Sequence, residues 1–479
     1  MSNFLWRKAN RSSLFLSALC LGASCTEAPY APPAFPFLAS YDSSADSVPR
    51  VLDNVDWWRG FNDPVLDQLV EQALSGSLSL ELARERVIEA RAARDSLPQA
   101  ANLASGVGVK REYEGFEGGE AETRAEATLG FDWLLDIYGT RRAQVEAAGA
   151  RVAVADAEVD AARLLLLLNL TNAYIDLRFQ QTSLQLRRSE LRSRRQTLDL
   201  VQTLLDADSA TRIDLVFAQA LVSETQASIP GIEAAISALR NEIAVLSGRM
   251  PGEAGPDLDL HTGQPSVNLS PKVGIPADLL RNRPYIRVAE RSYYAALREV
   301  KSASAALYPQ LSLGGTISLA SLSGDSDTDY IFGPSLRLPI LPLAAGRASV
   351  ELRESRVRQA HTSWRLTVLA AIGDVESALG SYSAATRARG AAAETVRLYT
   401  EALNLTRESV NRDAGTIRDV IDSEQDLAVA NSGLANALRE VGRSYIALNV
   451  NLGAGNRYGM TGAAQATDMT GLPVSESGG

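Results

Sequence analysis

Thr123-Arg124-Ala125-Glu126-Ala127-Thr128-Leu129-Gly130-Phe131-Asp132-Trp133-Leu134-Leu135 decides how the rest of this chain is read. Successive side chains of a strand point to opposite faces. Thr123, Ala125, Ala127, Leu129, Phe131, Trp133 and Leu135 therefore share one face, and Arg124, Glu126, Thr128, Gly130 and Asp132 share the other. Three more stretches repeat the pattern. Leu311, Leu313, Ile317 and Leu319 alternate with Gln310, Ser312, Thr316 and Ser318. Tyr330, Phe332, Leu336, Leu338 and Ile340 stand against Ser335 and Arg337, and Leu103, Val107 and Val109 stand against smaller or charged neighbours. Strands of about ten residues with one greasy and one wet face fit a membrane β-barrel around water, with a half-buried soluble sheet as the alternative. Pro334 and Pro339 predict a bulge or an early end in the fourth strand, because proline cannot donate to a ladder.

Four strands cannot close on themselves, and an open edge in hydrocarbon leaves backbone groups unpaired at several kcal/mol each. Closure demands further copies of the chain. Two copies give eight strands with a filled interior, and three give twelve with room for a channel. The sequence alone leaves both open.

The start of the chain is an export signal. Arg7, Lys8 and Arg11 precede an apolar run from Leu14 to Ala23, a basic segment and a core too short to span a bilayer. Leu21-Gly22-Ala23-Ser24-Cys25 resembles a bacterial lipobox, which makes Cys25 the expected lipidated N-terminus after removal of residues 1–24. That removal takes away three cations and moves the formal charge from −10 to −13. An acidic chain lacks the clustered cations of a nucleic-acid surface, so no nucleic-acid partner is expected. Two histidines, His261 and His361, and two cysteines, Cys20 and Cys25, assemble neither a metal site nor a disulfide framework. No metal and no cofactor other than the covalent lipid is expected. Acid pairs such as Glu117 and Glu120 fall in the Gly-rich stretch Gly115 to Gly119, read as an exposed turn, and no catalytic residues are assigned. A content of 46% apolar residues still provides for a core.

Beyond a proline-rich leader, the chain lays onto itself at an offset near 205 residues. Pro98 pairs with Pro309, Gly139 with Gly346, Asp214 with Asp419 and Gly248 with Gly453. Each half runs helix, two strands, very long helix, break, helix. From Thr140 to Ile229 there is no proline and one glycine, Gly149, in a run of good helix formers interrupted only at Asp206-Ala207-Asp208-Ser209. The roughly 65 positions before that break would span about 100 Å as a helix. The second half repeats this from Arg347 to Asn411 and breaks at Asp413-Ala414-Gly415. Ala143, Ala147, Ala150 and Ala157 would let neighbouring helices pack closely. The expected organisation is a signal peptide at 1–24, a lipidated leader at 25–52, repeats at 53–252 and 276–455 joined by a linker at 253–275, and a disordered tail at 456–479.

Several motifs now carry a resemblance: Trp57-Trp58-Arg59-Gly60-Phe61-Asn62-Asp63-Pro64, Trp133-Leu134-Leu135-Asp136-Ile137-Tyr138-Gly139, Leu246-Ser247-Gly248-Arg249-Met250-Pro251, Tyr308-Pro309, Gly333-Pro334-Ser335-Leu336-Arg337-Leu338-Pro339 and Gly415-Thr416-Ile417-Arg418-Asp419-Val420-Ile421-Asp422. Together with Leu97-Pro98, Ile275 to Pro284 and Ala289-Glu290, over residues 53 to 455, the chain resembles the TolC-like outer membrane factors of tripartite efflux pumps. It is most similar in character to the NodT-type lipoprotein subgroup that serves resistance-nodulation-division pumps. The resemblance implies a mainly α-helical homotrimer in which a twelve-stranded β-barrel in the outer membrane continues into a long periplasmic α-helical barrel. It implies an outer membrane channel, not an enzyme, that passively conducts substrates delivered by a periplasmic adaptor and an inner-membrane pump. Type I protein secretion is the alternative within this class, and a structural envelope lipoprotein is the alternative outside it.

Both helix breaks carry a threonine three residues before an aspartate, Thr211 to Asp214 and Thr416 to Asp419, a shortened capping box. Capping accounts for Asp214 and Asp419 but not for Asp422, one turn further on, whose counterpart in the first half is Phe217. By resemblance Asp419 and Asp422 form acidic rings at a periplasmic gate, and Asp214 belongs to the contacts that hold it shut. Arg212 and Arg418 are candidate closing partners, although an exposed ion pair contributes only about 0 to 1 kcal/mol. Arg412 stands where the family often has a tyrosine.

Overall fold

The computed structural model describes residues 55–113, 121–253, 258–259, 263–267, 283–322, 325–339, 343–412 and 414–456. After a 3-10 turn (Trp57–Phe61) come α1 (Pro64–Gly76), α2 (Leu78–Asp95), β1 (Ala101–Tyr113), β2 (Ala121–Leu135), α3 (Thr140–Asp206) and α4 (Arg212–Leu246). The second half supplies α5 (Pro284–Ala305), β3 (Gln310–Leu322), β4 (Asp325–Arg337), α6 (Leu343–Asn411) and α7 (Ile417–Asn451). The order of elements is the one expected from the repeat, and α3 and α6 run for 67 and 69 residues. The signal segment, Cys25, Glu117, Glu120, His261 and Ile340 lie outside the described residues. Asn456, assigned to the tail from sequence, is instead buried, and its amide donates to the Gly453 carbonyl at 2.9 Å.

Two compact units divide the chain. One contains the strands with the helical segments Glu89–Ala153 and Glu290–Trp364. Its sheet is antiparallel in the order β1-β2-β3-β4. The register carries the apolar face unbroken across all four strands: Leu103 opposite Phe131, Phe131 opposite Gly315, Gly315 opposite Phe332. Two residues on, Leu129, Ile317 and Tyr330 lie side by side. The opposite face aligns Gly106, Thr128, Ser318 and Asp329. Among the described residues nothing covers the apolar face: Leu103 is 73% exposed, Val107 85% and Tyr330 74%. Apolar area of this extent requires a non-aqueous neighbour.

Of the two outcomes expected from Pro334 and Pro339, the early end is the one found: β4 passes Pro334 in regular register opposite Leu313, without a bulge, and stops at Arg337, two residues before Pro339. Ile331 departs from the alternation: it pairs with Thr316 on the otherwise wet face and is 73% exposed. No helix among the described residues is long and apolar enough to cross a membrane.

The second unit holds the main core. Trp57, Trp58 and Phe61 are buried with Leu167, Leu170, Tyr174 and Ile446, and the Phe61 and Tyr445 rings meet edge to face at 5.4 Å. The Asp63 carboxylate caps α1 through Val65 N–H at 3.0 Å and accepts the Tyr174 hydroxyl at 2.5 Å. Burial and then this bond hold the Tyr174 phenol well above its ordinary pKa. The WW–D–P motif is therefore an anchor that ties the start of the chain to α3. Along α3, Ala143, Ala147 and Ala150 in the first unit and Ala157 in the second are all buried, as close helix packing requires.

The repeat is visible in how α4 and α7 end. Gly248 and Gly453 adopt φ of +74° and +75°. Arg249 N–H returns to Ala244 O at 2.8 Å, and Ala454 N–H to Asn449 O at 2.9 Å, the bond of a Schellman cap. At Gly248 the requirement is double, because a Cβ there would lie 2.1 Å from the Gly76 carbonyl oxygen. Gly248→Ala is accordingly expected to lower the thermal midpoint of the folded protein. Gly149→Ala, inside α3 with nothing within 4 Å of the new Cβ, is expected to leave it unchanged or raise stability by up to about 1 kcal/mol. Parallel melts followed by circular dichroism check both.

Candidate functional site

In the second unit the two helix breaks are built alike. Thr211 N–H and Oγ1 donate to Asp214 Oδ2 at 3.0 and 2.6 Å, and Asp214 N–H donates back to Thr211 Oγ1 at 3.2 Å. Thr416 repeats this with Asp419, at 2.8, 2.7 and 3.3 Å. Each pair satisfies donors that a helix start otherwise leaves open. The bonds favour the ionised carboxylate. The Thr211 hydroxyl foremost, its backbone N–H next and the Arg418 charge last hold Asp214 below its ordinary pKa. The Thr416 backbone N–H and then its hydroxyl do the same for Asp419.

Around these caps Val201 and Leu215 form a small buried cluster against which Ile417 packs. The end of the second hairpin thus rests on the first. Arg418 places its guanidinium 5.6 Å from the Phe217 ring centroid, a cation–π contact. Phe217 is the repeat counterpart of Asp422, so the asymmetry noted in the sequence has a use on the α4 side. Arg212 is exposed, and among the described residues neither it nor Arg418 reaches ion-pairing distance of a carboxylate. Asp419 and Asp422 are both exposed on the first turns of α7. Asp426, one turn further, is exposed as well. Spacings of three and four residues put all three on one helix face, a stripe whose last member the sequence reading missed.

The opposite face of α7 carries a polar network that sequence reasoning also missed. Glu424 accepts from Arg407 of α6 at 2.7 Å and from Ser193 and Thr197 of α3 at 2.9 and 3.2 Å. Beside it Arg194 pairs with Glu190 at 2.7 Å and donates to Gln425. The side chains of Glu424, Arg194 and Glu190 retain only about a tenth of their exposure, so removing one partner strands the other. A cavity of about 250 Å³ adjoins them. The Glu190–Arg194 spacing of four was the one signal available in sequence. The contacts that α3 makes to α6 and α7 join residues more than 200 positions apart and have no local signature. Among the described residues no group of three His, Cys, Asp or Glu side chains is placed to hold a metal.

The chain matches the family described as Outer membrane efflux protein over residues 69–249 and 275–454. It is 33% identical to Nodulation protein T of Rhizobium leguminosarum bv. trifolii over 457 residues, covering 92% of this chain and 96% of that protein. It is 26% identical over 440 residues to the Pyoverdine export outer membrane protein OpmQ of Pseudomonas putida, covering 87% and 92%. Among solved structures, the outer-membrane channel OprN superposes with a TM-score of 0.80 at 27% identity, covering 90% of this chain and 99% of that one.

The capping boxes carry a pH dependence of fixed sign. Because Asp419 titrates below its ordinary value of 3.8, its contribution is complete above that value and is lost as the pH falls through the depressed one. The protection factors of the Thr416 and Asp419 amides, taken against intrinsic exchange at each pH, are expected to fall on acidification in the wild type. In Asp419→Asn they are expected to be low already at neutral pH.

Proposed function

The chain belongs to the outer membrane efflux protein family, and on that footing we propose that three copies close one barrel of twelve strands and conduct substrate passively out of the periplasm. The observation that carries this is the sheet of the first unit, apolar across one whole face, polar on the other and unpaired at both β1 and β4. Such a sheet satisfies its edges only by joining others, and its polar face then lines water. The lipobox-like segment before Cys25 supports a second attachment, by lipid, to the same membrane.

In this reading the chain is not an enzyme. An inner-membrane resistance-nodulation-division pump and a periplasmic adaptor supply the energy and the cargo, and the relative named for pyoverdine export is consistent with an outward direction. The gate is the acidic stripe of α7. With three protomers, Asp419 and Asp422 contribute six carboxylates about one axis, a ring that repels itself and attracts cations. Asp214, Arg212 and Arg418 sit at the neighbouring hairpin end and bear on closure: Asp214 by fixing the start of α4, Arg418 by its hold on Phe217. Opening requires α7 to leave α3, which means separating Glu424 from Ser193 and Thr197. An adaptor opens the channel only to the extent that it binds the separated arrangement more tightly.

Single-channel recording in planar bilayers tests the gate. The Asp419→Ala, Asp422→Ala double variant is expected to conduct more and to lose block by divalent cations. Unchanged conductance with unchanged block would remove these residues from the gate.

A further inference from the structure

The first unit contains a cavity of about 490 Å³ where its helices meet the strand ends. Leu97, Thr140, Leu307 and Pro339 form its rim, each within five residues of the end of a strand. Tyr138 and Tyr308, stacked at 4.7 Å, mark the same level, and tyrosines in this position are typical of a membrane–water boundary. Deeper in, Glu299 of α5 is held between two guanidiniums, Arg151 of α3 and Arg353 of α6, the latter at 2.7 Å. Each arginine spends one nitrogen on Glu299, and among the described residues its other N–H groups meet no acceptor. Gln144, Ser302 and Ser349 also line the cavity, and their side chains likewise lack partners among the described residues.

The charge around this cavity runs against that of the chain. The helical segments of the unit, Glu89–Asp95, Thr140–Ala153, Glu290–Ala305 and Leu343–Trp364, carry twelve Lys and Arg against seven Asp and Glu, in a protein whose formal charge is −10. A basic collar directly beneath an apolar band is the arrangement that attracts anionic headgroups. The cavity adds what a diffuse collar lacks: two arginines fixed by a shared carboxylate, neutral hydrogen-bonding groups beside them, and an apolar rim on the side of the sheet. Guanidinium forks match phosphate oxygens.

We propose that this cavity binds the phosphate headgroup of an anionic glycerophospholipid from the periplasmic leaflet, with Arg151 and Arg353 as the phosphate ligands and the acyl chains rising along the apolar sheet face. This rests on the membrane-channel reading of the sheet, and the test keeps the two apart. The full-length protein is reconstituted in phosphatidylcholine vesicles with and without phosphatidylglycerol. Lipid retained after detergent extraction is then measured by native mass spectrometry, with single-channel conductance recorded in the same preparations. The wild type is expected to retain phosphatidylglycerol over phosphatidylcholine and to melt at a higher temperature in its presence. Arg151→Gln, Arg353→Gln is expected to weaken that retention about tenfold with conductance intact. Ser302→Leu, which fills the cavity and leaves both arginines in place, is expected to do the same. Equal retention of the two lipids by the wild type, undiminished retention by both variants, or equal thermal protection by inorganic phosphate would each overturn the lipid site. Loss of conductance in the wild type would instead count against the channel itself.

Discussion

Backbone hydrogen bonding at the edges of the sheet is the constraint from which the remaining features follow. Among the described residues, β1 and β4 each present a row of N–H and C=O groups that no further strand meets. In water such an edge is a nuisance; in hydrocarbon each unpaired group costs several kcal/mol. The same four strands expose a continuous apolar face that no other part of their unit covers. A sheet with these two properties has no stable state as an isolated piece in either solvent. It has one as a sector of a closed barrel, apolar outside and wet inside. Everything else in the first unit serves that sector: the stacked tyrosines at the strand–helix junctions, and the Asp136 carboxylate, which accepts Arg141 and Arg142 N–H at 3.1 and 2.8 Å and so starts α3 directly beneath β2.

Under the gate we propose, the second unit faces a different problem, that of two helical hairpins that must hold together and also come apart. An all-apolar seam would hold without offering a discrete alternative. The seam here is mixed. Val201, Leu215 and Ile417 give a small apolar contact at the breaks, and Glu424 with its three donors gives a polar one above it. Polar partners that separate into water recover most of what they lose, so the closed arrangement is specific without being deep. In the proposed trimer, Asp419, Asp422 and Asp426, exposed on the face of the same helix away from the seam, would set mutual repulsion against it.

Features written in local sequence were legible, and features made by distant residues were not. The strand alternation, the long helices, the 205-residue repeat and both capping boxes each depend on residues a few positions apart, and the structure bears each of them out. The matched caps at Gly248 and Gly453 show the repeat preserved down to individual backbone bonds. The early end of β4 at Arg337 was legible from Pro339 two residues on. Ile331 on the wet face and Asp426 on the acidic stripe were within reach of simple periodicity and were passed over. The contacts of Glu424 with Ser193 and Thr197, and the approach of Gly248 to Gly76, could not be read at all, since each joins segments far apart in the chain.

The mass of the particle extracted gently from membranes, taken together with its conductance, addresses the central claim most directly. The account predicts a complex of three chains that resists dissociation in mild detergent and conducts ions in a planar bilayer. A monomer that remains soluble without detergent, or a single chain that conducts, would contradict it.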